Sequence, residues 1–238
     1  MISLREGKCG GVEALIRRNN TEYGSLGPLH YMRRLEHTTL IAPPLTRFVL
    51  STAARELGPL AAAKSLYIGI NVSAPHVESE TFVSDVRGSA KGILSRLVLH
   101  MPESHRAKPT ANVLNAFAAL RAKKVRFALS GVGAGLAYLG LLTAFAFELV
   151  KIDRQVLALD ADERVRRLAA VIDAARQQGA TVVADGVESA NHHKVICRSR
   201  IYFGQGFFYG RTMVINLLLT FFEAGGTSLG ARKTRSWR

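Results

Sequence analysis

Short apolar runs alternate with longer segments of helical period along most of this chain. The runs predict strands over residues 12–16, 66–72, 97–100, 125–130, 149–152, 181–184 and 201–203. Apolar residues at helical spacing predict helices over residues 43–57, 79–88, 110–122, 136–145, 162–178, 189–197 and 215–222. This alternation is typical of repeated β-α units, in which parallel strands are covered by helices. It therefore predicts an α/β fold with seven strands, where a closed barrel needs eight.

A polar residue follows the apolar run at five of the predicted strand ends. These residues are Glu13, Asn71, Lys151, Asp185 and Gln205. In a (β/α) barrel the carboxyl ends of the strands form the active face, so we expect the five side chains to lie together. A lysine that ends an apolar strand is costly to bury without a partner, and Asp153 or Glu188 could supply one. Lys151 is therefore interpreted as a site residue, with a structural ion pair as the alternative.

The chain is long enough to fold as one domain around a single large core. It has 238 residues, of which 48% are hydrophobic. We expect the folded domain to cover residues 1–225 and to end at a Gly-Gly pair. The remaining residues, 226–238, are basic and rich in small residues, which predicts a disordered tail.

The net charge of +14 implies attraction to an anionic partner, such as a nucleotide or an acidic protein surface. Basic residues are distributed along the sequence and do not alternate with aromatic residues, so nucleic acid is not the expected partner.

The longest apolar stretch, residues 139–150, is shorter than the ~20 residues that span a bilayer, and it contains Glu148. With no apolar leader at the amino terminus, we expect a cytoplasmic location. Cys9 and Cys197 have no suitably spaced partners and are interpreted as free thiols.

Five short motifs occur in a fixed order along the chain. They read GVEALIR at 11–17, INVS at 70–73, VKIDR at 150–154, ADGVE at 184–188 and QGFFYGR at 205–211. In order and spacing they resemble the EAL domain family over residues 2–225. The resemblance implies a modified TIM-like barrel in which two divalent cations, Mg²⁺ or Mn²⁺, activate a water that opens cyclic di-GMP to linear pGpG.

The resemblance also assigns roles to individual residues. It implies a catalytic group of Glu13, Lys151 and Asp185, with Glu13 and Asn71 as retained metal positions. Lys151 would position the nucleophilic water. It implies that ligand binding involves Arg17, Asn71, Gln205 and Glu188, with Arg17 contacting a substrate phosphate.

Four positions depart from the family pattern. His100 replaces a glutamate, Ser130 and Gly131 replace two aspartates that bridge the metals, and Asp185 is one methylene shorter than the usual glutamate. Of five family acids, only Glu13 and Asp185 remain. Two dications carry +4, so a site of −2 in a basic protein would neutralise them poorly. We therefore expect that no cofactor is bound. If the site is active, the expected cofactor is Mg²⁺ or Mn²⁺. We interpret His100 as a histidine that is hydrogen-bonded in the barrel mouth.

The amino terminus also differs from the family. Members usually have a strand before the motif that contains Glu13, and this sequence begins after that strand. We therefore expect the first strand of the family to be missing, which would leave an unpaired edge in the barrel.

Taken together, these observations favour a catalytically impaired EAL domain. Such a domain would act as a regulatory module that binds cyclic di-GMP without metal, or that binds a protein partner. The alternative is an active phosphodiesterase that produces pGpG and uses Mn²⁺ with His100 and Glu103 as substitute ligands. A stripe of Leu141, Leu142, Phe145 and Phe147 is either core or an interface, so a homodimer is possible.

Overall fold

The structure is a computed structural model that describes residues 1–20, 24–26, 41–103, 109–133 and 138–225. The strands are β1 Ile2–Ser3, β2 Gly11–Ala14, β3 Arg18–Asn20, β4 Gly24–Leu26, β5 Tyr67–Asn71, β6 Leu97–Pro102, β7 Arg126–Val132, β8 Leu149–Ile152, β9 Thr181–Ala184 and β10 Phe203–Gly204. The main element is an eight-stranded sheet in the order β1-β10-β9-β8-β7-β6-β5-β2, and β3 pairs with β4 in a separate ribbon. Neighbours from β2 through β10 in this sheet are all parallel.

Helices follow the parallel strands, as the sequence predicts. In the described part of the chain they are α1 Ala42–Lys64, α2 Ala74–Val77, α3 Phe82–Ser89, α4 Ala111–Arg121, α5 Tyr138–Ala144, α6 Arg154–Ala158, α7 Ala161–Gln177, α8 Ala190–Arg198 and α9 Ile215–Glu223. Polar side chains stabilise the first turn of several of these helices. Thr110 accepts a hydrogen bond from the Val113 amide at the start of α4, and Asp160 accepts one from the Glu163 amide at the start of α7.

The expectation of a missing first strand is wrong, because residues at the amino terminus occupy the eighth position. Strand β1 pairs antiparallel with β10, and Ile2 forms a bridge with Cys9. The Met1 carbonyl accepts a hydrogen bond from the Gly10 amide at 3.0 Å. These contacts link β10 to β2 through β1 and nearly close the ring, so the edge that we expected to be open is largely covered.

The core has two layers, one between the helices and the barrel and one inside the barrel. In the outer layer, Phe117 of α4 stacks on Phe127 of β7 with ring centroids 3.9 Å apart. The Leu/Phe stripe at 141–147 is buried in this layer, so it is core and not an exposed surface. The inner layer is small and comprises Val98, Ala128, Leu149 and Val183.

The barrel has two different ends. The strand-end residues of the five motifs lie at the carboxyl end, and short connections that lead into the strands form the opposite end. No helix in the described part of the chain is both long and apolar enough to cross a lipid bilayer. The predicted tail, 226–238, lies outside the described residues, and the domain boundary at 225 stays a prediction.

Candidate functional site

Glu13, at the carboxyl end of β2, is the centre of the polar cluster. Its Oε1 accepts a hydrogen bond from Asn71 Nδ2 at 2.9 Å. Its Oε2 accepts from Lys151 Nζ at 2.7 Å and from Gln205 Nε2 at 2.6 Å. Four of the five strand-end residues therefore meet at one carboxylate, as we expected from their positions after parallel strands.

Lys151 links Glu13 to the fifth residue, Asp185. Its ammonium lies 3.2 Å from Asp185 Oδ2, and the Lys151 side chain is only 4% exposed. Asp185 Oδ1 accepts a hydrogen bond from the Gly186 amide at 2.8 Å, and this side chain is 39% exposed. The ion pair thus forms with Glu13 and Asp185, and not with the sequence neighbours that the alternative interpretation named.

His100 lies against this cluster in a recess that a glycine creates. The imidazole is buried, and its Nδ1 lies 3.5 Å from Glu13 Oε1, which is a polar contact longer than a good hydrogen bond. A Cβ atom at Gly69 would lie 2.6 Å from the ring, so no larger residue fits there. Sequence reasoning missed Gly69, although a glycine inside a strand is a signal of close approach.

Charge and burial set the ionisation of the cluster. Burial alone would raise the pKa of Glu13, but the ammonium of Lys151 and the hydrogen bonds to the carboxylate hold that pKa well below its usual value. Burial and the nearby Lys151 lower the pKa of His100, which keeps the imidazole neutral. Burial would lower the pKa of Lys151, but Glu13 and Asp185 outweigh it and raise that pKa. The cluster therefore contains two carboxylates, one ammonium and a neutral imidazole at neutral pH.

The lowered pKa of His100 predicts a loss of stability on mild acidification. The unfolded chain takes up a proton near the ordinary histidine value of about 6.5, whereas the folded chain resists protonation. The free energy of unfolding should fall as the pH drops below about 6.5, by at most about 1.4 kcal/mol per pH unit for one histidine. Urea unfolding between about pH 8 and pH 5 measures this slope. A His100→Gln variant should show a shallower slope, and an unchanged slope would contradict the assignment.

Ser130 and Gly131 lie where β7 leaves regular pairing. The register between β7 and β8 shifts between Leu129 and Val132, and Gly131 has φ +76°. The Ser130 carbonyl accepts a hydrogen bond from the Glu103 amide at 2.7 Å. Neither residue brings a charged oxygen to the site.

Two residues that the resemblance assigns to ligand binding lie outside the cluster. Arg17 is exposed, and its Nη2 donates to Thr212 Oγ1 at 3.3 Å across the rim of the barrel. Glu188 is also exposed, and its backbone amide contacts His192 Nδ1 at 3.4 Å. Among the described residues, the Glu188 side chain forms no hydrogen bond or ion pair with the cluster.

A small cavity lies inside the barrel below Glu13. It has a volume of about 20 Å³, enough for about one water molecule, and His100, Lys151 and Leu149 are among its lining residues. A nucleotide does not fit inside it.

The donors at this site fit two divalent cations poorly. Both oxygens of Glu13 already accept hydrogen bonds, and the Lys151 ammonium is in direct contact with that carboxylate. Among the described residues, no three His, Cys, Asp or Glu side chains are arranged to hold a metal ion. Mg²⁺ in particular prefers several oxygen ligands, and this cluster offers only Asp185 as a second carboxylate.

An eight-stranded barrel with polar side chains at the carboxyl ends of its strands defines a protein of the TIM-like barrel class. The sequence profile of the EAL domain matches residues 1–212. The chain therefore belongs to the EAL domain family, and its eight-stranded barrel agrees with the fold that the resemblance implied.

Curated relatives carry this domain within longer proteins. The chain is 29% identical over 216 residues to the probable cyclic di-GMP phosphodiesterase PdeG of Escherichia coli, covering 88% of this chain and 42% of the relative. It is 28% identical over 219 residues to the cyclic di-GMP phosphodiesterase PA2567 of Pseudomonas aeruginosa, covering 90% and 37%. The chain thus spans about two fifths of the length of these relatives.

Solved structures show the same fold. The PaMucR phosphodiesterase in complex with c-di-GMP superposes with a TM-score of 0.81 at 26% identity, over 91% of this chain and 90% of that one. The EAL domain of Xanthomonas citri FimX in complex with c-di-GMP gives 0.76 at 20% identity, over 90% and 86%. At that lower identity the likeness to FimX supports the fold alone.

Proposed function

We propose that this chain is a cyclic di-GMP-binding regulatory module that has lost hydrolysis. One observation carries the proposal: the single carboxylate at the centre of the site, Glu13, is already neutralised by Lys151 and hydrogen-bonded by Asn71 and Gln205. The ammonium of Lys151 therefore already balances the charge of this carboxylate. The family membership and the c-di-GMP complex of a relative support the ligand.

The rim around the cluster suits an anionic dinucleotide. Arg17 and Arg211 are exposed on the carboxyl-end loops, where they would meet the two phosphates. Phe207 is 51% exposed beside Gln205, and the Arg211 guanidinium lies 5.5 Å from its ring centroid. An exposed aromatic face of this kind stacks on a purine base. Phosphate contacts and base stacking are both available without a metal ion.

Hydrolysis requires a water that is held and activated beside the phosphorus atom. Glu13 is poorly placed to activate it because both carboxylate oxygens accept hydrogen bonds from fixed donors. Asp185 is the remaining acid, and it is held by Lys151 and by the Gly186 amide. These contacts favour binding over turnover.

Calorimetric titration with cyclic di-GMP in EDTA and then in Mn²⁺, followed by product analysis, tests the proposal. We expect binding in EDTA and no pGpG in either buffer. Arg17→Ala should weaken binding by about 10-fold or more, because a charge-assisted hydrogen bond contributes about 1.5–3 kcal/mol. Arg55→Ala, a change at an exposed helix position, is the matched control.

Each other outcome identifies a different function. Formation of pGpG in Mn²⁺ would show an active phosphodiesterase and contradict the loss of hydrolysis. No heat in either buffer would contradict nucleotide binding and favour a module that binds a protein partner on the same face. The homodimer that the sequence allows stays a prediction.

A further inference from the structure

The end of the barrel opposite the candidate site contains most of the excess positive charge of this protein. Because the strands from β2 to β10 are parallel, every segment that leads into one of them lies at this end. We call these segments the basic face, and they comprise residues 4–10, 64–66, 90–96, 121–126, 146–148, 176–180 and 198–202.

The charge of the basic face is strongly unbalanced. Its segments contain 12 of the 32 basic residues of the chain and 2 of the 18 acidic ones. The tail at 226–238 contains four more basic residues and no acid, so the rest of the chain has 16 of each sign. Apart from the tail, the excess charge of the protein therefore lies on this one face.

The basic side chains of this face are open to solvent. The ten exposed ones are Arg5, Lys8, Lys64, Lys91, Lys123, Lys124, Arg126, Arg176, Arg198 and Arg200. Of the two acids, Glu148 is already paired with Arg121 at 2.7 Å, and Glu6 is exposed. Within the described ranges none of the ten forms an ion pair with an acid, so their charges act outward.

The basic face has the shape of a ring and not of a groove. Its seven segments are connections of three to seven residues around the barrel axis, and the one helix that lies wholly within them is a short 3-10 turn, Leu94–Arg96. Arg126 stacks on Tyr67 at 4.2 Å from the ring centroid, at the barrel opening. Tyr202, beside Arg200, is 55% exposed. Tyrosine at a charged surface is typical of the boundary between water and lipid headgroups.

We propose that the basic face docks on an anionic lipid bilayer surface. A broad ring of unpaired Lys and Arg side chains matches an extended planar anion, and clusters of four to eight such residues are typical of anionic lipid recognition. Nucleic acid recognition instead uses an element that enters a groove, or a channel that tracks the backbone. The described part of this face offers neither of these.

Docking in this way would orient the barrel. The basic face would lie on the headgroups, and the carboxyl-end rim with Glu13, Asn71 and Gln205 would face the aqueous phase. The proposed ligand site would stay open while the protein is attached. Membrane docking does not depend on whether that site binds or cleaves a nucleotide.

Sedimentation with lipid vesicles tests the proposal with the full chain. We expect binding to vesicles of phosphatidylcholine with about 30% phosphatidylglycerol, and none to vesicles of phosphatidylcholine alone, at about 0.15 M salt. A face variant replaces Lys64, Lys91, Lys123 and Arg176 with Gln, all exposed residues. Each lost charge should lower the partition coefficient roughly fivefold, so the four together should lower it by several hundredfold.

Two matched variants remove the same charge elsewhere. One replaces Arg55, Arg166, Arg167 and Lys194 on the helices with Gln, and it should retain most of the binding. The other replaces Arg232, Lys233, Arg235 and Arg238 of the tail with Gln. Equal loss in the face and helix variants would overturn the proposal, and so would loss in the tail variant alone. Complete displacement from vesicles by a duplex oligonucleotide at equal charge concentration would also overturn it, in favour of nucleic acid. Thermal unfolding of each variant checks that it is folded.

Discussion

Introducing three acids, by His100→Glu, Ser130→Asp and Gly131→Asp together, is expected to create a Mn²⁺ site in this barrel. With Glu13 and Asp185 the cluster would then contain five carboxylates, which can neutralise two dications. We expect the triple variant to bind Mn²⁺ on the order of 100-fold more tightly than the parent protein does. Even the loss of a residue that only hydrogen-bonds to a metal ligand changes metal affinity by about 10- to 100-fold.

The structure has room for the new side chains at positions 100 and 131. Gly69 leaves the recess that now holds an imidazole, and a glutamate at position 100 occupies a similar volume. A Cβ atom at position 131 would lie 3.8 Å from its nearest neighbour, Asp153 Oδ2. The φ of +76° at Gly131 is less unfavourable for aspartate than for most other residues.

Calorimetric titration with Mn²⁺ measures the effect. A matched triple variant with Gln at position 100 and Asn at 130 and 131 keeps the size of the side chains and removes the charge. It should bind no better than the parent. Equal Mn²⁺ affinity in the acidic variant and the neutral one would show that these positions do not surround a common site.

Lys151→Met is expected to give the largest loss of stability of any single change at the site. It removes the ammonium that contacts Glu13 and Asp185, and it leaves the largely buried Glu13 carboxylate without a counter-charge. Removing one partner of a buried ion pair costs about 3–5 kcal/mol. Urea unfolding at neutral pH measures the change in the free energy of unfolding.

The double variant Glu13→Gln with Lys151→Met separates charge from packing. Because it removes both members of the pair, it should recover a large part of the stability lost in the single variant. Lys194→Met, at an exposed position on α8, should change stability by less than about 0.5 kcal/mol. A double variant as unstable as Lys151→Met alone would mean that the ammonium acts through packing and not through charge.

The repeated β-α pattern made most of the fold predictable. Strands such as β5 and β7 are apolar runs with clear ends, and parallel strands place those ends together. Strand β1 was missed because two residues, Ile2 and Ser3, carry no periodic signal. Its pairing with β10 depends on a partner about 200 residues away, which sequence patterns do not reveal.

The sequence predicted most of the residues that meet in the polar cluster, but it predicted fewer of the contacts between them. Strand-end positions predicted that Glu13, Asn71 and Gln205 would meet, and they do. The partner of Lys151 was ambiguous because Asp153 is near in sequence, whereas Glu13 is 138 residues away. Gly69 makes room for the His100 ring because it has no side chain, and a search for chemically active residues therefore does not find it. The charge of the basic face was also hidden, because the barrel gathers seven segments that the sequence separates.

The length of the strands separates the two ends of the barrel electrically. A five-residue strand such as β5 spans about 17 Å, whereas charges in physiological salt are screened beyond about 8 Å. The lysines and arginines on one end therefore exert little influence on an anion at the other. Raising the ionic strength would therefore release the protein from an anionic lipid surface, and any effect of salt on ligand binding at the far rim would come from the charges of that rim itself.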